Sequence, residues 1–376
     1  MHFAVDGTLW EGPDPDLYDK MAGLILVNLA LKGTRFTLIG KTLPSLPPAL
    51  SEGSERLDWL LAEEKLGDRL LKDGWARKAV PRALDAAAAT SWISWEGRNT
   101  GGEHPQWLFL RGLSDLLWPG PGGISPEAGR RFGARWRNLL QKRGTGIVTF
   151  SAGAVPLLKE HFGAREDAIR VLPAFYPSNV PVASWEEREQ AKARYSGGQE
   201  YFLWIGSPGA GAHWKEALKA FSLFKKGQRS HMQLLMAPWE KPGEELSGSL
   251  ASYKYRADVR IIDREQGDWQ SVFRSAYAVL YLPRFDELGW VPGMAMELGV
   301  PLISTWRSIA AEWARDAVLW VAPESPESVA EAMIRVYKDE NFRGLLLDRG
   351  RALAATRTAA AVLSQYEQVL TSTPAQ

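Results

Sequence analysis

The chain contains no cysteine, which excludes disulfides, thiolate zinc sites and cysteine nucleophiles and is compatible with a reducing compartment. It also lacks net charge. With 45 Lys and Arg against 44 Asp and Glu, no overall field draws it onto nucleic acid or an anionic membrane, so any phosphate site must be local. No apolar run reaches the roughly 18 to 20 residues that a membrane helix needs. The start, Met1-His2-Phe3-Ala4-Val5-Asp6, has neither the basic beginning nor the long apolar core of a signal peptide. The expected address is the cytoplasm, with no transmembrane segment and at most a peripheral contact with a membrane. Histidine is scarce. His2, His104, His161, His213 and His231 include no pair with metal-ligand spacing, so no metal site is expected. No G-x-S-x-G elbow occurs, which leaves a serine hydrolase unsupported.

What is abundant is tryptophan, with 17 residues in 376. A Trp ring fills cores and interfaces, and its flat face also stacks on a sugar or a base. Most of these lie inside patterned segments such as Ser91-Trp92-Ile93-Ser94-Trp95, which assigns them to the core. The length fits two domains of ordinary size. Short apolar runs alternate with helical patterns throughout, as a mostly parallel sheet with covering helices requires. Strands are expected at Phe3–Val5, Arg35–Gly40, Ser91–Trp95, Gly146–Ser151, Tyr201–Ile205, Gln233–Ala237, Val259–Ile262, Ala278–Leu282, Pro301–Ser304 and Val318–Val321. Helices are expected at Leu17–Leu31, Glu127–Lys142, Trp185–Arg194, Trp214–Lys226, Gln270–Tyr277, Pro292–Leu298, Ala310–Arg315 and Ser325–Lys338, the last with Ser325 as N-cap and Pro326 at the first position. Pro44–Pro48 and Trp118–Gly123 read as loops. The Pro-rich stretch Pro173–Ser184 reads as an interdomain linker. The expected division is residues 1–174, residues 175–352, and a C-terminal helix with a polar tail, 353–376, packing back on the first domain.

The order of segments resembles that of retaining GT-B glycosyltransferases of family four, group 1. Ile147-Val148-Thr149-Phe150-Ser151 followed by a helix, then Ile169-Arg170-Val171-Leu172-Pro173, is similar to the end of their acceptor domain. Tyr201-Phe202-Leu203-Trp204-Ile205-Gly206-Ser207 resembles the first strand and glycine loop of their donor domain, with Lys219-Ala220-Phe221 in the helix that follows. The likeness continues through Phe285–Pro292, Ala295–Ser304, Asp316–Pro323 and Val329–Met333. It is good from about residue 130 to 350 and thin before that. It implies an α/β chain of GT-B type, two Rossmann-like domains facing across a cleft.

A transferase of this kind holds a nucleotide diphosphate, neutralises charge on the leaving phosphate and fixes the sugar hydroxyls beside the acceptor. The family motif "E-G-F-G-x-P-x-x-E" places one carboxylate at the donor sugar and a second at the ribose. In register, Asp286 takes the first place, with Glu287 beside it, and Met294 takes the second. Glu297 lies one helical turn beyond Met294 and offers a shifted second carboxylate. Gly289 occupies the motif's inner glycine. The family's Arg-Lys pair after the first donor-domain strand corresponds to Gly211 and Ala212, with His213 next, so no cation remains at those places. Lys215 stands close by, and the run Gly206-Ser207-Pro208-Gly209-Ala210-Gly211 offers backbone N–H groups to phosphate, or is simply a permissive loop. The expected catalytic residues are Asp286 and Glu287. The expected donor contacts are Gly206, Ser207, His213, Lys215, Gly289 and Glu297.

In the N-terminal domain the family's "G-G-x-G-R-Y" loop corresponds to Glu11–Tyr18, where Pro13, Asp14, Pro15 and Asp16 make a poor anion cradle. Matching Leu113-Ser114-Asp115-Leu116 to "I-H-D-L" puts Ser114 where the family has His. Two functions follow from the resemblance. One is transfer of a sugar from a nucleotide-sugar, the donor substrate, to a glycan or other acceptor with retention, without a separate cofactor. The other is a pseudo-glycosyltransferase that binds glycan or a partner glycosyltransferase without turnover. NAD chemistry ranks third, because Gly206–Gly211 matches G-x-G-x-x-G only loosely and the acidic partner is not evident.

Overall fold

The computed structural model describes residues 2–11, 17–42, 56–65, 68, 74–95, 97–100, 104–118, 124–174, 181–207, 211–239, 244–262 and 268–374. The loops at Pro44–Pro48, nearly all of Trp118–Gly123, the middle of the linker and the stretch 208–210 lie outside the described residues. Two compact units divide the chain, Met1–Phe175 with Ala359–Gln376, and Tyr176–Thr358.

The N-terminal unit is built on seven parallel strands, β1 (His2–Asp6), β2 (Arg35–Gly40), β3 (Leu57–Leu61), β4 (Ser91–Ser94), β5 (Gln106–Phe109), β6 (Thr145–Thr149) and β7 (Ile169–Val171). Their spatial order is β3-β2-β1-β4-β5-β6-β7. The crossovers contain α1 (Leu17–Leu31), a π-helical turn Trp75–Ala79 leading into α2 (Val80–Ala87), α3 (Ser114–Leu117), α4 (Pro126–Leu140) and α5 (Ala154–Phe162). The middle of α1, Met21 to Ala30, is apolar nearly all round and almost wholly buried, as a helix without a polar face must be.

The C-terminal unit opens with α6 (Trp185–Ser196), whose start is fixed by a capping box between Ser184 and Glu187 and whose end turns left-handed at Gly197. Six parallel strands follow, β8 (Tyr201–Gly206), β9 (Gln233–Pro238), β10 (Val259–Ile261), β11 (Ala278–Tyr281), β12 (Leu302–Thr305) and β13 (Leu319–Val321), in the order β10-β9-β8-β11-β12-β13. They alternate with α7 (Trp214–Gln228), α8 (Glu244–Ala251), α9 (Trp269–Arg274), α10 (Trp290–Glu297) and α11 (Pro326–Lys338), and α12 (Glu340–Thr356) completes the unit. The segment Ala310–Arg315, expected as one short helix, is instead two 3-10 turns, Ile309–Glu312 and Arg315–Ala317. The chain then supplies α13 (Ala359–Thr371) to the N-terminal unit, where buried Tyr366 donates its hydroxyl to the Pro173 carbonyl at 2.8 Å.

Helices on both faces explain why β8 and β9 read as continuous apolar runs. The period of two sorts their residues: Phe202, Trp204, Leu234 and Met236 enter one core, while Tyr201, Leu203, Ile205, Leu235 and Ala237 enter the other. Tryptophan is used in the same way. Trp10, Trp75, Trp92, Trp95, Trp107, Trp136, Trp204 and Trp214 are all buried. Among the described residues no helix is long and apolar enough to cross a membrane.

Trp107 of β5 is paired in register with Gly146 of β6, and a Cβ on that glycine would lie 2.2 Å from the indole ring. Gly146→Ala therefore drives the ring out of place. The expected cost is about 1–3 kcal/mol of stability, read as a lowered midpoint in urea unfolding; an unchanged midpoint would show that the indole has room to move.

Candidate functional site

In an open parallel sheet the loops beyond the strands' carboxyl ends separate where the strand order reverses, and ligands bind there. In the C-terminal unit that point lies between β8 and β11, and in the N-terminal unit between β1 and β4. The residues singled out in the sequence fall mainly on the first of these edges.

β8 ends at Gly206, whose carbonyl accepts from Trp239 N at 2.9 Å. A Cβ there would come within 3.1 Å of the Trp204 ring and 3.3 Å of Ala212, so only glycine fits without displacement. Ser207 follows, half-buried. His213 takes a left-handed conformation just before α7, and its Nδ1–H donates to the Leu282 carbonyl beyond β11, 2.9 Å away. One residue pair further along, Arg284 N donates to the Gly211 carbonyl at 2.5 Å. The loop after β8 and the loop after β11 are thus joined across the switch point by a ring nitrogen and a backbone amide.

Asp286 joins the loop after β11 to the one after β12. Its N–H donates to the Arg307 carbonyl at 2.9 Å and its carbonyl accepts from Ile309 N at 3.0 Å. Its carboxylate accepts from Gly289 N at 2.9 Å and Leu288 N at 3.3 Å through Oδ1, and from Ser308 Oγ at 2.6 Å through Oδ2. The side chain is buried, and burial pushes its carboxyl above the usual Asp range. Hydrogen bonds from Ser308, Gly289 and Leu288 pull the other way, and the neighbouring Glu287 charge adds to the rise. Gly289 is left-handed at the start of α10, and a Cβ there would stand 3.4 Å from each of Ile309, Ala310 and Trp313. Glu287 is half-buried beside this knot.

The remaining residues lie farther from that knot. Met294, at the place of the family's second carboxylate, is buried in the core with Val291 and Ala295. Glu297, half-buried, ends α10 one turn later. The Lys215 ammonium forms an ion pair with Glu245 of α8 and lies 5.3 Å from the Trp214 ring.

Two cations at this edge escaped the sequence reading. Arg307, in the loop after β12, pairs with Glu324 beyond β13. Glu324 is held below the usual Glu range: burial pushes it up, but hydrogen bonds from Arg307 and its own backbone, with the Arg307 and His213 charges, outweigh that. Arg284 lies in the loop after β11, two residues before Asp286. Each stands within a few residues of a strand's carboxyl end, the one positional signal that marks them.

The N-terminal unit has a comparable knot that the sequence also hid. Asp6 ends β1 wholly buried, accepting from Thr8 Oγ1 at 2.6 Å, Thr8 N at 3.2 Å and Ser94 Oγ of β4 at 2.9 Å, with Arg98 Nε 3.5 Å away. Burial pushes this carboxyl up, and Arg98 and the hydrogen bonds oppose it. Glu11 accepts from the backbone of Lys41 and Thr42 beyond β2. Residues 12–16 of the Glu11–Tyr18 loop lie outside the described residues, and Ser114 begins the short α3.

Residues 186–352 match the family model of glycosyl transferases group 1. The match takes in the whole C-terminal sheet and the loops after β8, β11 and β12. No curated protein sequence matches the chain. Among solved structures, WaaG, a glycosyltransferase involved in lipopolysaccharide biosynthesis, is similar with a TM-score of 0.74 at 14% identity, over 99% of this chain and 100% of WaaG. Alr3699/HepE of Anabaena in complex with UDP-glucose gives 0.74 at 12% identity over 98% of each chain. Sucrose-phosphate synthase of Thermosynechococcus elongatus gives 0.71 at 15% identity, again over 98% of each. The fold is therefore α/β with two parallel sheets and flanking helices, the GT-B fold of glycosyltransferases.

Because the folded Asp286 carboxyl has the higher pKa, the folded state holds the extra proton between the ordinary value of 3.8 and the raised one. Stability must fall as pH rises through that window and level off above it. Measured against Asp286→Asn, which cannot ionise, the wild type is expected to lose relative stability from about pH 4 upward. A difference that does not change with pH would show that the carboxyl titrates normally. Asp286→Ala should cost about 1–3 kcal/mol, because the Ser308 hydroxyl and two buried amides lose their acceptor.

Proposed function

We propose that the chain is a retaining glycosyltransferase that takes a nucleotide-sugar at the carboxyl edge of its C-terminal sheet and transfers the sugar to a glycan or other acceptor. The observation that carries this reading is a coincidence of two independent results. The group 1 glycosyl transferase match covers residues 186–352, and the loops it contains meet at the β8–β11 switch point, where chemistry of this fold class is placed by topology.

The residues present divide the work. The backbone from Gly206 to Ser207 and the start of α7 faces the diphosphate, with His213 holding that loop to the one after β11. Asp286, with both carboxylate oxygens occupied, acts as the positioning residue that sets the loop before α10. Glu287, adjoining it, is the carboxylate offered to the donor sugar, and Gly289 and Glu297 frame α10 beside the nucleoside. In the transfer, the bond from the sugar's anomeric carbon to the diphosphate oxygen breaks, its electron pair leaving with the phosphate. The acceptor oxygen then bonds to the same face of that carbon, and the hydroxyl proton passes to the leaving phosphate. Stabilising that charge is the main electrostatic task. The donor is consumed as substrate and no further cofactor is required. A cysteine-free chain suits the cytoplasm, where nucleotide-sugars are the donors at hand. Because Anabaena Alr3699/HepE is complexed with UDP-glucose, UDP-sugars come first among the candidates.

Isothermal titration of the purified chain with UDP, GDP, ADP and their sugar conjugates tests this. Binding of one nucleotide at about micromolar Kd, followed by transfer with retained anomeric configuration, is the expected result. Binding without transfer to any acceptor would favour the pseudo-glycosyltransferase, and flat titrations across the panel would remove the donor site altogether. Within an active enzyme, Glu287→Ala should lower kcat by at least about tenfold with the fold intact; unchanged turnover would take the sugar-facing role from Glu287.

A further inference from the structure

The loop after β8 has lost its cations: Gly211 and Ala212 stand where the resembling family places Arg and Lys. A diphosphate still needs positive charge at this edge, since its charge grows as it leaves and backbone amides alone carry only partial charges. The structure shows where such charge is available. Arg284 of the facing loop lies directly against the vacated position. Its N–H donates to the Gly211 carbonyl at 2.5 Å, and a Cβ built on Gly211 would fall 3.5 Å from the Arg284 Cβ. Gly211 itself has a φ of +106°, a conformation that a residue with a long side chain resists. A cation at position 211 would be strained, whereas Arg284 sits on an ordinary backbone.

The neighbouring cations are already engaged. Lys215 is paired with Glu245 and Arg307 with Glu324. Arg284 is exposed, and among the described residues its guanidinium meets no carboxylate; its neighbour is the ring of Phe285, with the guanidinium carbon 5.0 Å from the ring centre. An arginine with its planar set of donors uncommitted suits two phosphate oxygens better than a lysine would.

We infer that Arg284 is the diphosphate-binding cation of this chain, supplied across the switch point from the loop after β11 in place of the pair missing from the loop after β8. The inference rests on the donor reading of this edge, and it extends that reading to a residue outside the motif positions that suggested it.

The test uses the full chain and three probes: inorganic pyrophosphate, the nucleoside diphosphate selected by the titration panel, and the corresponding nucleoside without phosphate. Arg284 is exposed, so Arg284→Gln should keep the wild-type melting temperature. It should weaken pyrophosphate and nucleoside diphosphate at least about tenfold while leaving nucleoside binding unchanged, and Arg284→Lys should restore part of the loss. If the diphosphate binds Arg284→Gln as tightly as wild type, the inference is overturned and the donor reading stands. If pyrophosphate binding depends on Arg284 but no nucleotide or nucleotide-sugar binds, Arg284 keeps its anion-binding role and the donor reading falls. If wild type binds none of the probes, both fall together.

Discussion

The carboxyl edge of the C-terminal sheet depends on one buried carboxyl group, that of Asp286. Removing a carboxylate from water costs several kcal/mol, and that cost is tolerated only where fixed donors replace the lost solvent. Asp286 has three such donors, two amides at the entrance to α10 and the Ser308 hydroxyl from the next loop. Its own backbone is bonded in both directions to the strand of chain from Arg307 to Ile309. If the side chain is lost, the two loops are left with unmatched groups; if both loops are present, neither can shift without breaking the other's bonds. The edge is therefore stiff where it meets the sheet, and the exposed Arg284 and Trp306 and the half-buried Glu287 are mounted on that base.

The rest of the architecture follows from strands covered on both faces. With helices above and below, the central strand residues are mostly apolar, and large rings such as Trp92, Trp107 and Trp204 fill the volume between the layers. Two buried carboxyl groups stand at or just beyond the carboxyl ends of strands, Asp6 at the end of β1 and Asp286 in the loop after β11. Two unrelated stretches of sequence thus arrive at the same device, a buried carboxylate tying adjacent loops by hydroxyl and amide donors.

Local pattern made the sheets readable and left the contacts between loops unreadable. β2 and α1 were marked by their apolar spacing to the residue, and Ser325 with Pro326 announced the start of α11. β3 and β5 gave no such signal. β5 is four residues long behind a proline, too short for a period of two to show, and β3 mixes exposed and half-buried positions. At the site, Asp286 and Gly289 were legible because they share one short segment with a known motif. Arg284 was not, since what distinguishes it is a backbone bond to a glycine 73 positions earlier, and the link from Asp6 to Ser94 spans a similar gap of 88. Sequence spacing records neighbours along a strand or a helix face; it carries no trace of which loops the fold brings side by side.

The passage of the chain out of the N-terminal unit and back has a consequence for synthesis. The C-terminal unit is contiguous, from Tyr176 to Thr358. The N-terminal unit lacks α13, with Tyr366 buried in it beside Phe109 and bonded to Pro173, until Ala359–Thr371 has been made. On the ribosome, the part translated second is the first to have all its pieces. The part translated first must wait, with the site for α13 uncovered, through nearly two hundred codons. In a nascent chain of this design the unit begun first is completed last.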